Sequence, residues 1–72
     1  MNLEKKSYGY LARSAHGLAI ITKNGKWWNC DADIDGESRT ITTAYIGVND
    51  ITRSVNFKTL DDVKKALSNI RY

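Results

Sequence analysis

The sequence predicts an α+β domain: an antiparallel β-sheet meander of three to five strands with one C-terminal α-helix packed on one face. Three observations carry that expectation. Asn24-Gly25 separates GLAIITK from KWWNCDADI, and Asn-Gly tolerates the positive φ that a two-residue hairpin turn demands. Asp35-Gly36 signals a second turn before ESRTITTAYIG, whose β-branched and aromatic content favours a strand. From Thr59 the period changes: Leu60, Val63, Leu67 and Ile70 fall at offsets of three, seven and ten and share one helical stripe.

Taken in chain order, residues 1–16 come first. SYGYLARSA reads either as a short edge strand, with Tyr8 and Tyr10 on one face, or as an arm lying across the next hairpin. Residues 17–34 form that hairpin. With a two-residue turn at Asn24-Gly25, Lys23 opposes Lys26, Ile21 opposes Trp28 and Ala19 opposes Cys30, and opposed residues share a face. One face then carries Ala19, Ile21, Trp28, Cys30, Ala32 and Ile34 and is the buried one. The other carries Leu18, Ile20, Thr22, Trp27, Asn29, Asp31 and Asp33. A two-residue turn at Asp35-Gly36 sets Cys30 opposite Ile41 and Trp28 opposite Thr43. TRSVNFK alternates as a fourth strand with Val55 and Phe57 inward, so the sheet is expected over 17–58. The helix follows over 59–70. Thr59 and Asp62 resemble a capping box with Asp in place of Glu, and acids in the first turn suit the helix dipole.

Seventy-two residues, 42% hydrophobic and 26% charged, describe a single domain spanning 1–72. A chain this short buries only about 60% of its unfolded surface, so it needs a well-patterned core, a staple or a partner. The staple is not an internal disulfide, because Cys30 is the only cysteine. A reducing, cytoplasmic setting is the expectation. No run of about 18 apolar residues occurs and the opening lacks an apolar core, so neither a membrane span nor a signal peptide is expected.

Chemistry is sparse. Asp31-Ala-Asp33-Ile-Asp35-Gly36 matches the start of an EF-hand loop, but the twelfth position is Thr42 and the flanks read as strands. Outward-facing acids ending in an Asp-Gly turn account for the pattern, and Asp33, Asp35 and Glu37 are the residues that would make a weak calcium or magnesium site. One histidine, His16, and one cysteine on the core face form no nucleophile–base–orienter set, and no Gly-rich phosphate loop, HExxH or GxSxG is present. The expectation is a protein that is not an enzyme and has no cofactor or metal.

Two features point to binding. The net charge is +3 with an isoelectric point near 9.2, and Lys5, Lys6, Lys23 and Lys26 make a basic rim beside Trp27 suited to a nucleic-acid backbone. Asp31 and Asp33 on the open face oppose a strong version of that reading. Trp27-Trp28 is the second feature, because adjacent strand residues face opposite ways and cannot share a single core. Trp27 is the one expected outside. Either the N-terminal arm with Tyr8, Tyr10 and Leu11 covers it, or it anchors a partner. A homodimer through this face or an edge strand would also supply missing core.

The order of strand, NG turn, strand, DG turn, strand, then FKTLDDVKKAL resembles two small families. One is the three-stranded DNA-binding fold of integrase N-terminal domains, over residues 25–67, which implies major-groove binding by the sheet. The other, across most of the chain through YLARSAH, the NG hairpin and the strand-to-helix ending, is the set of phage-encoded inhibitors of the anti-CRISPR type. That resemblance implies a non-enzymatic phage or mobile-element protein that occupies the surface of a host protein or nucleoprotein complex. The expected contact is Trp27 with Ile20, Asn29, Asp31 and Asp33, an aromatic anchor among acids for a basic partner. The alternative is a DNA-binding module using Lys5, Lys6, Lys23 and Lys26.

Overall fold

The computed structural model describes residues 2–49 and 51–70. Five strands, β1 (Asn2–Lys6), β2 (Gly9–Ser14), β3 (Gly17–Asn24), β4 (Trp27–Ile34) and β5 (Glu37–Ile41), pair antiparallel in chain order. A 3₁₀ turn over Thr43–Ile46 and the helix α1 (Leu60–Asn69) follow. The predicted α+β meander with one C-terminal helix is the fold observed.

The N-terminal segment is neither a single edge strand nor an arm. It is a hairpin, β1 paired with β2, and β2 lies inside the sheet with Leu11 opposite Ile20. The sheet therefore spans 2–41 instead of 17–58. The β3–β4 register also differs from expectation. Lys23 opposes Trp28, Ile21 opposes Cys30 and Ala19 opposes Ala32, a slip of two residues that moves the turn onto Gly25 and Lys26. Only Gly25 there has positive φ, at 62°, as in turns with glycine first. Because side chains alternate with a period of two, a slip of two leaves every face assignment intact. The Asp35-Gly36 turn has positive φ at both central residues, 53° and 83°, and Cys30 opposes Ile41 as expected.

Two glycines do a different job. Gly9 and Gly17 open β2 and β3 with φ near 146° and 145°. A Cβ at Gly9 would stand 2.2 Å from the Ile21 carbonyl oxygen, and one at Gly17 would stand 2.0 Å from that of Asp33. In both places the preceding turn residue accepts a backbone hydrogen bond from the strand beyond: Lys23 N–H to the Tyr8 carbonyl at 2.9 Å, and Asp35 N–H to that of His16 at 2.8 Å. The absent side chain lets each turn lie against its neighbour.

The inner face carries the core: Ala12, Ala19 and Ala32 in one row, then Ile21, Cys30 and Ile41 in the next, all buried. The alanine row leaves room for Val63, Ala66 and Leu67 of α1, which are buried in the same cluster. Leu60 and Ile70 pack at its margin, completing the predicted stripe. The Thr59 Oγ1 accepts the Asp62 N–H at 3.1 Å, as the capping pattern requires.

The expected fourth strand TRSVNFK reduces to a single bridge. Phe57 and Trp28 exchange backbone hydrogen bonds of 2.8 Å in each direction, filling the place beside β4 where β5 has ended and where Thr43 was expected. Phe57 is buried, but Val55 is 46% exposed, so one residue of that run points inward where two were expected. Ser54 ties back to Thr43 instead, its N–H donating to the Thr43 Oγ1 at 2.8 Å and its carbonyl accepting the Thr43 N–H at 2.9 Å.

Alanine at Gly17 and at Gly25 separates backbone strain from collision. Both glycines have positive φ, but a Cβ at Gly25 meets nothing within 4 Å. Gly25→Ala is expected to cost about 1–2 kcal/mol, and Gly17→Ala clearly more, measured by urea unfolding. Equal losses would remove the close-approach explanation.

Candidate functional site

With α1 on the inner face, no helix or strand among the described residues covers the outer face of the sheet. Its rows follow from the register: Glu4, Leu11, Ile20, Asp31 and Thr40 in one, and Arg13, Leu18, Asp33 and Ser38 in the next. Leu18 and Ile20 are 42% and 47% exposed. They line a groove of about 520 Å³ with Asp31, Asp33, Ser38, Arg39 and Thr40. The Thr40 hydroxyl donates to the Asp31 Oδ1 at 3.0 Å, holding that carboxylate over the face. On the far side Arg13 Nε donates to the Glu4 Oε2 at 3.0 Å. The face is thus an aliphatic strip flanked by acids, with Arg13 paired to Glu4 on the β1 side and Arg39, paired to Glu37, lining the groove beside Asp31 and Asp33.

Of the five residues expected to contact a partner, Ile20, Asp31 and Asp33 come together here. Asn29 does not join them. Its Nδ2 donates to the Val55 carbonyl at 2.9 Å and to the Asn56 Oδ1 at 2.8 Å, so its amide fastens the 54–56 segment to β4. Trp27 is half-buried at the end of β4 and lines a separate hollow with Ile46, Val48 and Lys58. Its neighbours there come from 43–48 and 52–58; Tyr10 of the N-terminal hairpin packs instead on Trp28, ring centroids 6.0 Å apart.

Up-and-down connectivity sorts charge to opposite ends of the sheet. Lys6 and the Asn24–Trp27 turn lie at one end, with Lys5 one row in; Asp33, Asp35 and Glu37 lie at the other. The four lysines expected to form a rim are distributed around the basic end, with differing surroundings. The Lys23 Nζ stands 4.5 Å from the Trp28 ring centroid and the Lys26 Nζ 5.5 Å from that of Trp27, within cation–π range. Lys6 is 4.0 Å from Glu4, and Lys5 is exposed on the opposite face of β1.

Cys30 is buried beneath the helix. Burial, with a smaller contribution from the Asp31 charge, pushes its thiol up to about 12, so it is protonated and packs as a small apolar group. The His16 Nδ1 lies 3.4 Å from Asp35 on the exposed acidic turns, far from Cys30 along the strands. Glu37 is engaged by Arg39 at 3.4 Å, and among the described residues no three of His, Cys, Asp and Glu gather as a metal site.

Leu18 shares Ile20's alternation and so belongs to the same open face in the sequence as in the structure. Ser38 and Thr40 were within reach of the same logic, since a two-residue turn at Asp35-Gly36 sets them across from Asp33 and Asp31. Lys58 and the hollow around Trp27 had no signal, because the path of 43–56 is irregular.

The buried thiol makes a pH prediction. Its pKa is raised on folding from 9 to about 12, so the unfolded state loses the proton first. The stability it contributes is complete below pH 9 and is lost as pH rises from 9 towards 12. The difference in unfolding free energy between the wild type and Cys30→Ala should shrink over that window. A pH-independent difference would contradict the burial.

No protein family, curated protein or solved structure matches this chain.

Proposed function

We propose that this is a non-enzymatic binding protein that modulates a macromolecular complex by occupying its surface, in the manner of the small phage-encoded inhibitors whose element order it resembles. The observation that carries this reading is the outer groove: two aliphatic side chains, Leu18 and Ile20, standing nearly half exposed beside Asp31 and Asp33. Exposed apolar surface rimmed by polar groups is a mark of interaction sites. Asp31 and Asp33, in no ion pair among the described residues, select a partner of opposite charge, raising the association rate and rejecting acidic surfaces. The occupant is therefore a protein surface presenting an apolar side chain flanked by Lys or Arg, as nucleic-acid-binding proteins do. A cytoplasmic site of action belongs to the same reading, supported by the lone unpaired cysteine. The contact differs from the one expected from sequence in its anchor, with Leu18 and Ile20 taking the place of Trp27 and Asn29.

Capture from cell lysate tests it when wild type is run beside open-face variants. The wild type should retain a stoichiometric, basic partner after nuclease treatment. Ile20→Asp and the pair Asp31→Lys with Asp33→Lys should each lose it while unfolding cooperatively, and Lys23→Gln with Lys26→Gln should keep it. Identical recovery by wild type and the open-face variants, or no partner surviving nuclease, would overturn the proposal.

A further inference from the structure

The hollow at the basic end is independent of the outer groove. It holds about 380 Å³ between the end of β4, residues 43–48 and 52–58, and the start of α1, and its lining includes Trp27, Ile46, Ser54, Asn56, Lys58 and Asp62. Aromatic and aliphatic walls face polar groups held by the fold: Asn29 grips Asn56 at 2.8 Å, the Ser54 Oγ accepts the Asn56 N–H at 3.0 Å, and Thr43 accepts that of Ser54. The Asp62 N–H is taken by the helix cap. Among the described residues, neither the Asp62 carboxylate nor the ammonium groups of Lys26 and Lys58 are in an ion pair.

We propose that this hollow, with the lysine-lined end of the sheet, is a site for single-stranded nucleic acid, an unpaired base entering beside Trp27 with its phosphate held by Lys26 and Lys58. An indole wall suits the π-face that every base carries. The Ser54 hydroxyl, the Asn56 amide and the Asp62 carboxylate offer donors and acceptors to a base edge. Lys26 stands 5.5 Å from the Trp27 ring, so a base at that ring brings its phosphate near the same ammonium. A path continues along the sheet end, because the Tyr8 carbonyl accepts the Lys23 N–H at 2.9 Å and the exposed Tyr8 ring and Lys6 come next. A duplex keeps its bases stacked and paired and has no face to offer such a hollow, so the site selects single strands. It goes beyond the outer-groove reading and does not rest on it; together the two surfaces would let one molecule meet both parts of a nucleoprotein.

The test is fluorescence anisotropy of a short labelled oligo(dT) titrated with the full chain at low salt, against a duplex of equal length and against heparin. Saturable binding should be tighter for oligo(dT) than for duplex and should weaken with added salt. Trp27→Ala should lose at least about fivefold in affinity. Lys26→Gln with Lys58→Gln, both on exposed or rim positions, should weaken binding and flatten the salt dependence, and it decides the matter if Trp27→Ala fails to fold. Ile20→Asp should bind oligo(dT) like wild type, which keeps the two surfaces distinguishable. No binding of oligo(dT), equal affinity for duplex or heparin, or full affinity in both hollow variants would overturn the proposal.

Discussion

Among the described residues, one ten-residue helix lies against five strands, and that shortage shapes the rest of the structure. The helix is amphipathic, with Val63, Ala66 and Leu67 on its buried stripe, and it covers the inner face where an alanine row lets it approach. Among the described residues no second helix covers the outer face. Leu18 and Ile20 are exposed for that reason, and their neighbours on β4 are acids instead of the apolar residues a second layer would require. The same shortage makes the 43–57 segment necessary. It has little regular structure, yet it carries the chain to the helix, and the Phe57 bridge closes the core beside Trp28.

A meander joined by tight turns alternates its ends, so residues near odd-numbered turns collect at one end of the sheet and those near even-numbered turns at the other. Lysines flank the first kind here, at β1–β2 and β3–β4; carboxylates flank the second, at β4–β5. A net charge of +3 is therefore spread unevenly, although Arg13 and Arg39 also stand towards the carboxylate end. The outer groove sits towards the acidic end and the Trp27 hollow at the basic end, which is why one surface suits a basic protein and the other a polyanion.

Much of this was legible in the sequence, and the reason is periodicity. The slip at the Asn24-Gly25 turn moved partners by two and so left Ile20, Asp31 and Asp33 on the outer face and Cys30 on the inner one. The helix was legible because four apolar residues and a capping threonine agree. The N-terminal hairpin was obscured by turns without the usual Asn-Gly or Asp-Gly pair: Ser7-Tyr8 and Ala15-His16 lie between its strands and β3, and the glycine falls one position later. Asn29 illustrates the remaining limit. Alternation placed it outward correctly, but only the path of Val55 and Asn56 shows that its amide is spent on the chain itself.

The Trp28–Phe57 bridge also has a kinetic meaning. Every strand pairing joins neighbours in sequence, so each hairpin closes a short loop and can form within about 1–10 μs. The bridge, with the hold of the Asn29 amide on Val55 and Asn56, joins β4 to residues beyond β5 and the 3₁₀ turn, a longer closure than any of the hairpins requires. Loop-closure entropy grows only logarithmically, by about 0.6 kcal/mol for each doubling of length. A contact this far along the chain therefore costs little more to close than a nearer one, and added length ahead of it would raise that cost only slightly.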